Sequence, residues 1–380
     1  MNIIPKLLSS LLLLSLTAAP LLSEAASKKT KPAAVKKHKV ATAATAPKKK
    51  PAPRRDPEGE PEFTNFGQWK SVSEFISQMS DEHGFDRSEL NAQFAQIHYL
   101  DKVVKLINPP PAGKAKNWTA YRERFVEPMR IRAGLDFWRK YETELNRAQA
   151  EFGVPPEIIV GILGVETIYG RNPGNIRVLD ALTTLGFAYP NTPNRDARMS
   201  YFRDELRQAL LYARESQIDP FSLSGSFAGA IGLPQFMPGS IRRFAVDFDG
   251  DGKIDLRNSP ADAIGSVASF LSQHGWTASL PLVYPVQVDT ASESSWKPLI
   301  GITLAATHTA DELGRAGVSI PDTLPPTLMV GLVDLQDGER PTRYWVGSEN
   351  FFAITKYNRS YFYAMAVIDL GNAIRQQRSF

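Results

Sequence analysis

The stretch from Val154 to Gly170, VPPEIIVGILGVETIYG, restricts the fold more than any other part of the chain. Pro155 and Pro156 suit the first turn of a helix, where their missing N–H would have no partner anyway, and Gly170 is typical of a helix end. The residues between them are almost all apolar and leave no polar face. This pattern predicts a helix that is buried on nearly all sides, so the other elements must pack around it.

One ionisable residue, Glu166, interrupts this apolar run. Apolar surroundings and the negative end of a helix both raise the pKa of a carboxyl group. A carboxylic acid that keeps its proton near neutral pH can protonate the oxygen of a glycosidic bond. The alternative is a structural Glu held by an Arg or by backbone donors, because ion-pair networks also perturb pKa values. The helix alone leaves both interpretations open.

The N-terminal residues are predicted to lie outside the fold. Residues 1–25 combine a short segment with Lys6, a Leu-rich run and small residues at cleavage spacing, which is typical of a secretory signal peptide. A transmembrane anchor is the alternative, but the run is short for a span and contains Pro20. Residues 26–62 are rich in Lys, Ala and Pro, which predicts a disordered linker. We expect export to a bacterial periplasm as a soluble protein, without a stable membrane anchor after signal cleavage.

The positive charge of the chain is concentrated in this linker. The chain has a net charge of +4, whereas residues 27–60 hold eleven Lys or Arg and three Asp or Glu, so residues 61–380 carry a net charge of −4. This distribution argues against binding of nucleic acid by the folded part. The basic segment is either a solvated spacer or a contact to an anionic polymer or membrane surface. The absence of cysteine excludes disulfides, thiolate metal sites, thiol nucleophiles and a lipoprotein anchor.

A second informative stretch is residues 224–240, SGSFAGAIGLPQFMPGS, which is dense in small residues and has no charged side chain. Glycine lets a backbone approach a ligand closely. Ser226 and Gln235 are neutral hydrogen-bonding groups that suit sugar hydroxyls and acetamides. A packed glycine-rich junction is the alternative interpretation.

The stretch Asp247–Asp255, DFDGDGKID, has the spacing of an EF-hand calcium loop. Carboxylates occupy positions one, three, five and nine, Gly252 occupies position six, and Lys253 can offer its carbonyl at position seven. Position twelve is Asn258 instead of Glu, and Asp262 is the candidate that would close the site. A single loop favours a structural calcium ion over a sensor, and a solvated turn is the alternative.

The remaining segments are mainly amphipathic helices, with strand-like alternation near the C-terminus. Residues 282–304 and 327–345 alternate apolar and polar residues, which predicts short strands, and residues 311–317 suggest a small helix. Tyr357 and Asn358 belong to a polar cluster that leads into an apolar helix from Tyr361. Aromatic and amide groups of this kind are typical sugar contacts.

Taken together, these stretches resemble the lytic murein transglycosylase B family. The matching segments follow the family's order over about residues 65–376 and are VPPEIIVGILGVETIYGR, VLDALTTLGF, GSFAGAIGLPQFMPGSIRRFAVDFDGDGKIDL, PADAIGSVASFLSQHGW and YNRSYFYAMAVIDLG. The resemblance implies an α+β, mainly α fold, with a lysozyme-like core, an additional α domain and a small β domain. It implies a catalytic region over residues 63–380, with α and core subdomains and a β subdomain at about residues 281–350.

The resemblance also implies a reaction and a site. Members of the family cleave the β-1,4 bond between N-acetylmuramic acid and N-acetylglucosamine in peptidoglycan without hydrolysis, and they leave a 1,6-anhydromuramic end. The resemblance implies Glu166 as the acid and base. Its implied saccharide contacts are Ser226, Gln235, Tyr357, Asn358 and Tyr363, with Arg198 as the candidate for a cleft-facing arginine of the family; Arg195 is the other candidate. Its implied calcium ligands are Asp247, Asp249, Asp251, Lys253, Asp255 and Asp262.

Two rival functions follow from the same residues. Glycosidases usually need two carboxylates, and the matched cleft segments offer no clear second one, which favours one Glu acting twice. A hydrolytic muramidase and a non-catalytic peptidoglycan-binding scaffold are the alternatives. We expect glycan strands as the substrate, calcium as the one cofactor with no organic cofactor, and other cell-wall enzymes as further candidate partners.

Overall fold

The computed structural model describes residues 66–108, 115–301 and 303–378. The predicted signal peptide and linker, residues 1–62, lie outside the described residues. The described part is mainly helical and contains two small antiparallel sheets. No helix among these residues is long and apolar enough to cross a lipid bilayer.

The helices are numbered here in chain order, and 3₁₀ turns are left unnumbered. Their bounds are α1 (Lys70–His83), α2 (Arg87–Phe94), α3 (Asp101–Ile107), α4 (Trp118–Arg122), α5 (Pro128–Lys140), α6 (Glu142–Phe152), α7 (Pro156–Thr167), α8 (Val178–Phe187), α9 (Arg195–Glu215), α10 (Pro238–Phe244), α11 (Pro260–Gln273), α12 (Glu293–Trp296), α13 (Ala310–Arg315), α14 (Glu349–Tyr357) and α15 (Tyr361–Arg378).

The strands form a two-stranded and a four-stranded sheet. Their bounds are β1 (Ile176–Arg177), β2 (Ser224–Gly225), β3 (Val283–Val286), β4 (His308–Thr309), β5 (Met329–Asp337) and β6 (Arg340–Ser348). The small sheet pairs β1 with β2, and the larger sheet has the order β3-β6-β5-β4. The pairs within both sheets are antiparallel.

Helix α7 is the central helix of the fold, as its apolar sequence predicts. Every residue of α7 except Glu157 is buried, and the helix packs against α5, α6, α11 and α15. Two glycines bring α7 and α15 close together. A Cβ atom added to Gly161 would lie 2.4 Å from the Val367 carbonyl oxygen, and one added to Gly371 would lie 2.2 Å from the Glu157 carbonyl oxygen. The two backbones are therefore nearly in contact at both positions.

The C-terminal end of α7 differs from the sequence prediction. The helix ends at Thr167 instead of Gly170, and Ile168 and Tyr169 both take left-handed φ angles, of 53° and 56°. The Thr167 hydroxyl donates to the Leu233 carbonyl at 2.8 Å, which ties the helix end to the glycine-rich stretch. Left-handed backbone at a β-branched residue is strained, and such strain concentrates at functional sites.

The four-stranded sheet lies within residues 283–348, in the range where the sequence predicts the β subdomain. It has its own hydrophobic cluster, which includes Trp296, Leu313 and Val346. The prediction of strands throughout residues 282–304 is wrong for residues 290–299, which form 3₁₀ turns and α12. Asp289 explains this, because its carboxylate accepts from the Ala291 N–H and the Ser292 hydroxyl and so caps a helical turn. The small helix predicted at residues 311–317 is confirmed as α13.

One buried contact fixes the larger sheet to the helical part. The Asp337 carboxylate, at the end of β5, accepts from both the backbone N–H and the hydroxyl of Thr119, each at 2.7 Å. These bonds hold the pKa of Asp337 below its usual range. The β5–β6 hairpin is thereby attached to the first turn of α4, which carries Tyr121.

Candidate active site

Glu166 lies in the last turn of α7 and is 9% exposed. Burial raises the pKa of its carboxyl group to about 8, although a hydrogen bond from Tyr363 acts in the opposite direction. The Tyr363 hydroxyl donates to Glu166 Oε1 at 2.6 Å. The group is therefore mainly protonated at neutral pH, as the apolar helix predicts, and one of its oxygens is fixed by a neighbour.

Three tyrosines surround this carboxyl group. Tyr363, on α15, is fully buried, and its ring stacks on that of Tyr357 with centroids 6.3 Å apart. Burial and the charge of Glu166 raise the pKa of both hydroxyls well above the ordinary value. The third is Tyr121, which the sequence analysis did not identify. Burial and the charge of Glu166 raise the pKa of Tyr121 to about 12. No motif marks Tyr121, because only the packing of α4 brings it to α7.

A cavity of about 1030 Å³ opens beside Glu166. The sequence-predicted residues that line it together with Glu166 are Ser226, Gln235, Tyr357 and Asn358. Tyr363 contributes through its bond to Glu166, and it is not among the lining residues. The cavity is large enough for several sugar units, since ordinary ligand sites have volumes of roughly 300–1,000 Å³.

The glycine-rich stretch forms one wall of this cavity. Ser226 Oγ accepts from the Ala230 N–H at 3.1 Å, so its hydroxyl proton is available for donation. Gln235 has a left-handed φ of 53°, and its Nε2 donates to the carbonyls of Pro173 and Gly232 at 2.9 and 3.0 Å. Gly225 is required here, because a Cβ atom would lie 2.0 Å from the Ala230 carbonyl oxygen. Both polar side chains are thus held in place before a ligand binds.

Tyr357 and Arg198 were both predicted as saccharide contacts, but neither presents a free polar group to the cavity. The Tyr357 hydroxyl donates to the Pro234 carbonyl at 2.5 Å, so its ring is the part that can face a ligand. Arg198 is 8% exposed, lies outside the lining residues and donates through Nε to the Tyr189 hydroxyl at 3.2 Å. The reason is that α9 begins at Arg195, so Arg198 belongs to a packed helix.

The basic residues of the cavity come from other segments, and the sequence analysis did not identify them. Their side chains line it from both sides, and they are Lys102, Arg124, Arg130, Arg171, Lys356 and Arg359. They lie on α3, in the α4–α5 region, after α7, on α14 and after α14. Their separation along the chain explains why no motif predicted them.

A second carboxylate, Glu127, also lines the cavity. Its two oxygens accept from the backbone N–H groups of Met129 and Arg130, at 2.7 and 2.8 Å, so that it caps α5. Glu127 is therefore committed to the first turn of a helix.

Three of the predicted calcium ligands form a cluster. Carboxylate oxygens of Asp247, Asp249 and Asp251 lie within 4.8 Å of one another on an exposed loop. The Asp247 carboxylate accepts from the N–H groups of Gly250 and Gly252, both at 2.8 Å, which curls the loop around it. Hard oxygen ligands at this spacing suit Ca²⁺.

Asp255 and Asp262 lie outside this cluster of three. Asp262 is 1% exposed and accepts from the backbone N–H groups of Phe248 and Asp255, both at 2.7 Å. Asp255 accepts from the N–H groups of Arg257 and Asn258, each at 3.0 Å. Both carboxylates brace the base of the loop. Lys253 is exposed and donates its N–H to Asp251 at 2.8 Å.

Comparison with known proteins places this site in a family. The model of the transglycosylase SLT domain matches residues 66–372. The membrane-bound lytic murein transglycosylase B of Escherichia coli K12 is 42% identical over 322 residues, which is 83% of this chain and 85% of that protein.

The similarity includes the fold, as two solved structures show. The catenated lytic transglycosylase SltB1 of Pseudomonas aeruginosa is 44% identical with a TM-score of 0.76, over 83% of this chain and all of that chain. The Escherichia coli lytic transglycosylase Slt35 in complex with calcium is 41% identical with a TM-score of 0.72, over 83% of this chain and 96% of that one. The predicted fold, α+β and mainly α with a lysozyme-like core, is confirmed. The chain therefore belongs to the SLT-domain transglycosylase family and is a peptidoglycan lytic transglycosylase.

Proposed function

We propose that Glu166 serves as the acid and then as the base in a non-hydrolytic cleavage of the N-acetylmuramic acid–β-1,4–N-acetylglucosamine bond. The observation that carries this proposal is a buried carboxyl group with a pKa of about 8 in the wall of a large cavity. Such a group has a proton to give at neutral pH and becomes a base once it has given it. Mass spectrometry of the products of digested sacculi tests the proposal.

In the first step, Glu166 protonates the glycosidic oxygen and the bond from muramic C1 to that oxygen breaks. The N-acetylglucosamine unit leaves with a free 4-hydroxyl group. The positive charge at C1 is stabilised by the acetamide of the same sugar or as an oxocarbenium ion. The hydrogen bond from Tyr363 supports the carboxylate that forms, since it favours the charged state of Glu166.

In the second step, the Glu166 carboxylate removes the proton of the muramic C6 hydroxyl, and that oxygen attacks C1. The new C6–O–C1 bond closes the 1,6-anhydro ring and Glu166 regains its proton. No water is consumed, so one carboxyl group is sufficient. Glu127 supports this view, because its two oxygens already accept backbone hydrogen bonds.

We propose Ser226, Gln235 and Asn358 as the polar saccharide contacts and the ring of Tyr357 as an apolar one, since all four line the cavity. The Ser226 hydroxyl proton and the Gln235 Oε1 are the atoms best suited to an acetamide, because Gln235 Nε2 is held by backbone carbonyls. Tyr363 is proposed as a positioning residue for Glu166. Arg198 is not retained as a contact, because it packs against Tyr189.

Tyr363→Phe is expected to lower kcat/KM about tenfold and to move the alkaline limb of its pH profile upward by about one unit. The hydrogen bond from Tyr363 favours the carboxylate form of Glu166. Loss of this bond therefore raises the pKa of Glu166 above about 8. The measurement is kcat/KM on soluble glycan strands between pH 5 and pH 10. Tyr212→Phe is the matched control, since that hydroxyl donates to the Ile254 carbonyl, away from Glu166. An alkaline limb at the wild-type position would contradict the role of Tyr363.

We propose that the loop of Asp247, Asp249 and Asp251 binds one structural Ca²⁺, with the Lys253 carbonyl as a further ligand. The clustered carboxylates support this proposal, as does the calcium complex of Slt35. When bound, the ion would neutralise three adjacent negative charges and fix the loop between α10 and α11. Asp255 and Asp262 are proposed as the residues that hold the loop in shape.

Calcium at about 100 times its dissociation constant is expected to raise the free energy of unfolding by about 3 kcal/mol. The Asp249→Asn/Asp251→Asn double variant should lose this response, because two charged ligands become neutral. Thermal melting with calcium and with a chelator measures the effect. Asp322→Asn, an exposed aspartate outside the loop, should respond as the wild type does. An equal shift in the double variant would refute the site.

We further propose that the protein is exported and acts in the periplasm. The predicted signal peptide and a relative described as membrane-bound support export. The lack of cysteine in this chain favours a form without a lipid anchor. Other cell-wall enzymes are proposed as partners, because they would act in the same compartment.

A further inference from the structure

The cavity beside Glu166 carries a positive charge that the glycan itself does not require. Its described lining includes six basic side chains and two carboxyl groups, Glu127 and Glu166. Glu166 holds its proton at neutral pH. Residues 61–380 as a whole have a net charge of −4, so the positive charge is local to this cleft. A cleft lined by one sign of charge concentrates ligands of the other sign.

Two of these basic groups, Arg124 and Arg130, form an adjacent pair. Their guanidinium carbons lie 5.8 and 5.3 Å from the centroid of the Phe125 ring. Arg130 Nη1 donates to the Arg124 carbonyl at 2.5 Å, which fixes the second side chain relative to the first. Arg124 lies in the turn between α4 and α5, and Arg130 lies in the first turn of α5.

The positive charge of this pair is poorly compensated. Neither guanidinium forms an ion pair within the part of the chain that the structure describes. Arg130 is only 4% exposed, and its buried Nε has no hydrogen-bond partner among the described residues. Desolvation and the neighbouring Arg124 lower the pKa of Arg130, and Glu127 acts in the opposite direction. Burial of an unpaired charge is unfavourable, and proteins retain such features mainly at functional sites.

The pair also lies next to the proposed reaction centre. The Arg124 guanidinium carbon is 5.9 Å from the centroid of the Tyr121 ring, and Arg124 and Arg130 line the same cavity as Glu166. Met129, which is 46% exposed, lines the cavity beside the pair and offers an apolar surface. A ligand at this place would meet two guanidinium groups and an apolar side chain.

We infer that Arg124 and Arg130 form a subsite for a carboxylate of the peptide stem attached to the muramic acid unit. This inference rests on the proposed function. The sugar units of a stem-bearing strand are uncharged, because the lactyl carboxyl group is linked to the stem as an amide. The negative charges of such a strand are the carboxylates of the stem. Arginine binds carboxylates through paired N–H donors, and Met129 suits the alkyl part of a stem residue.

The test compares kcat/KM for stem-bearing glycan strands with kcat/KM for the same strands whose stem carboxylates have been converted to methylamides, which leaves the lactyl amide intact. We expect the Arg124→Gln/Arg130→Gln variant to lower the ratio of the two values about tenfold relative to wild type. Because Arg130 is buried, Arg124→Gln alone is the second variant, with an expected loss of about threefold. Arg132→Gln, an exposed arginine on α5 outside the cavity lining, should keep the wild-type ratio.

An unchanged ratio in both cleft variants would overturn the inference, and so would an equal loss on the two kinds of strand. A wild type without turnover on either strand would contradict the proposed function instead. In that case the same variants are compared by calorimetric titration with a disaccharide tetrapeptide and with the same compound whose stem carboxylates are methylamides. Selective weakening for the form with free carboxylates would support the subsite, and absence of a difference would overturn it.

Discussion

Replacement of Glu166 by Gln is expected to lower kcat/KM on peptidoglycan by at least about a thousandfold. A positioned acid or base contributes roughly 10²- to 10⁴-fold, and Glu166 is proposed to act in both steps. Gln has nearly the same shape but has no proton to transfer to the glycosidic oxygen. Initial rates of strand cleavage measure the effect. A variant with more than a tenth of the wild-type rate would remove Glu166 from the mechanism.

The same variant should keep its fold, and thermal melting tests this. The folded state holds the Glu166 proton to about pH 8, whereas the ordinary pKa is 4.5. Wild-type stability therefore falls as the pH rises from 4.5 to 8, because the unfolded chain releases the proton first. Gln has no such dependence. The variant should melt at a higher temperature than wild type at pH 9, and at a similar temperature at pH 4.

Glu127→Gln is the matched control for this experiment, because Glu127 is the other carboxylate among the described lining residues. Its loss should weaken the cap of α5 and change kcat/KM by only a few fold. Loss of activity as large as that of Glu166→Gln would indicate a mechanism with two carboxylates, as in hydrolytic glycosidases.

Gly161→Ala is expected to destabilise the protein by about 3 kcal/mol and to lower its activity. The new Cβ atom would lie 2.4 Å from the Val367 carbonyl oxygen, and a backbone atom within a buried helix cannot move aside cheaply. Helix α15 must then shift away from α7. Since α15 carries Tyr363, the shift should also disturb its bond to Glu166. Denaturant unfolding and kcat measure the two effects.

Gly314→Ala is the control for the intrinsic effect of the substitution. Gly314 is exposed on α13, and the nearest atom to an added Cβ is Ile320 Cγ1, at 3.7 Å. This change should be neutral or should stabilise the protein by about 0.5 kcal/mol, because alanine favours a helix. If Gly161→Ala behaved like Gly314→Ala, the close contact of α7 with α15 would not be needed.

The parts of the site that the sequence predicted are those encoded in short segments. Glu166 could be identified because its apolar neighbours are consecutive in the chain, and burial then follows. The cluster of Asp247, Asp249 and Asp251 follows from spacing within one loop. The geometry of such local patterns is set by residues that are close together in the chain, so the sequence alone can predict it.

The parts that the sequence did not predict depend on contacts between distant segments. Tyr121 reaches Glu166 only through the packing of α4, which Asp337 fixes from more than 200 residues away. The family resemblance implies Arg198 as a cleft-facing arginine, yet Arg198 lies within α9 and packs against Tyr189. In residues 290–299, one capping side chain outweighed the strand-like alternation.

The most direct measurement is the mass of the products that the purified enzyme releases from sacculi in heavy-oxygen water. A non-hydrolytic reaction by Glu166 predicts anhydromuropeptides that are one water lighter than the hydrolytic products and carry no heavy oxygen. Glu166→Gln should release none of them under the same conditions. Products with a reducing end and one heavy oxygen atom would contradict the proposed mechanism and identify the enzyme as a muramidase that uses water.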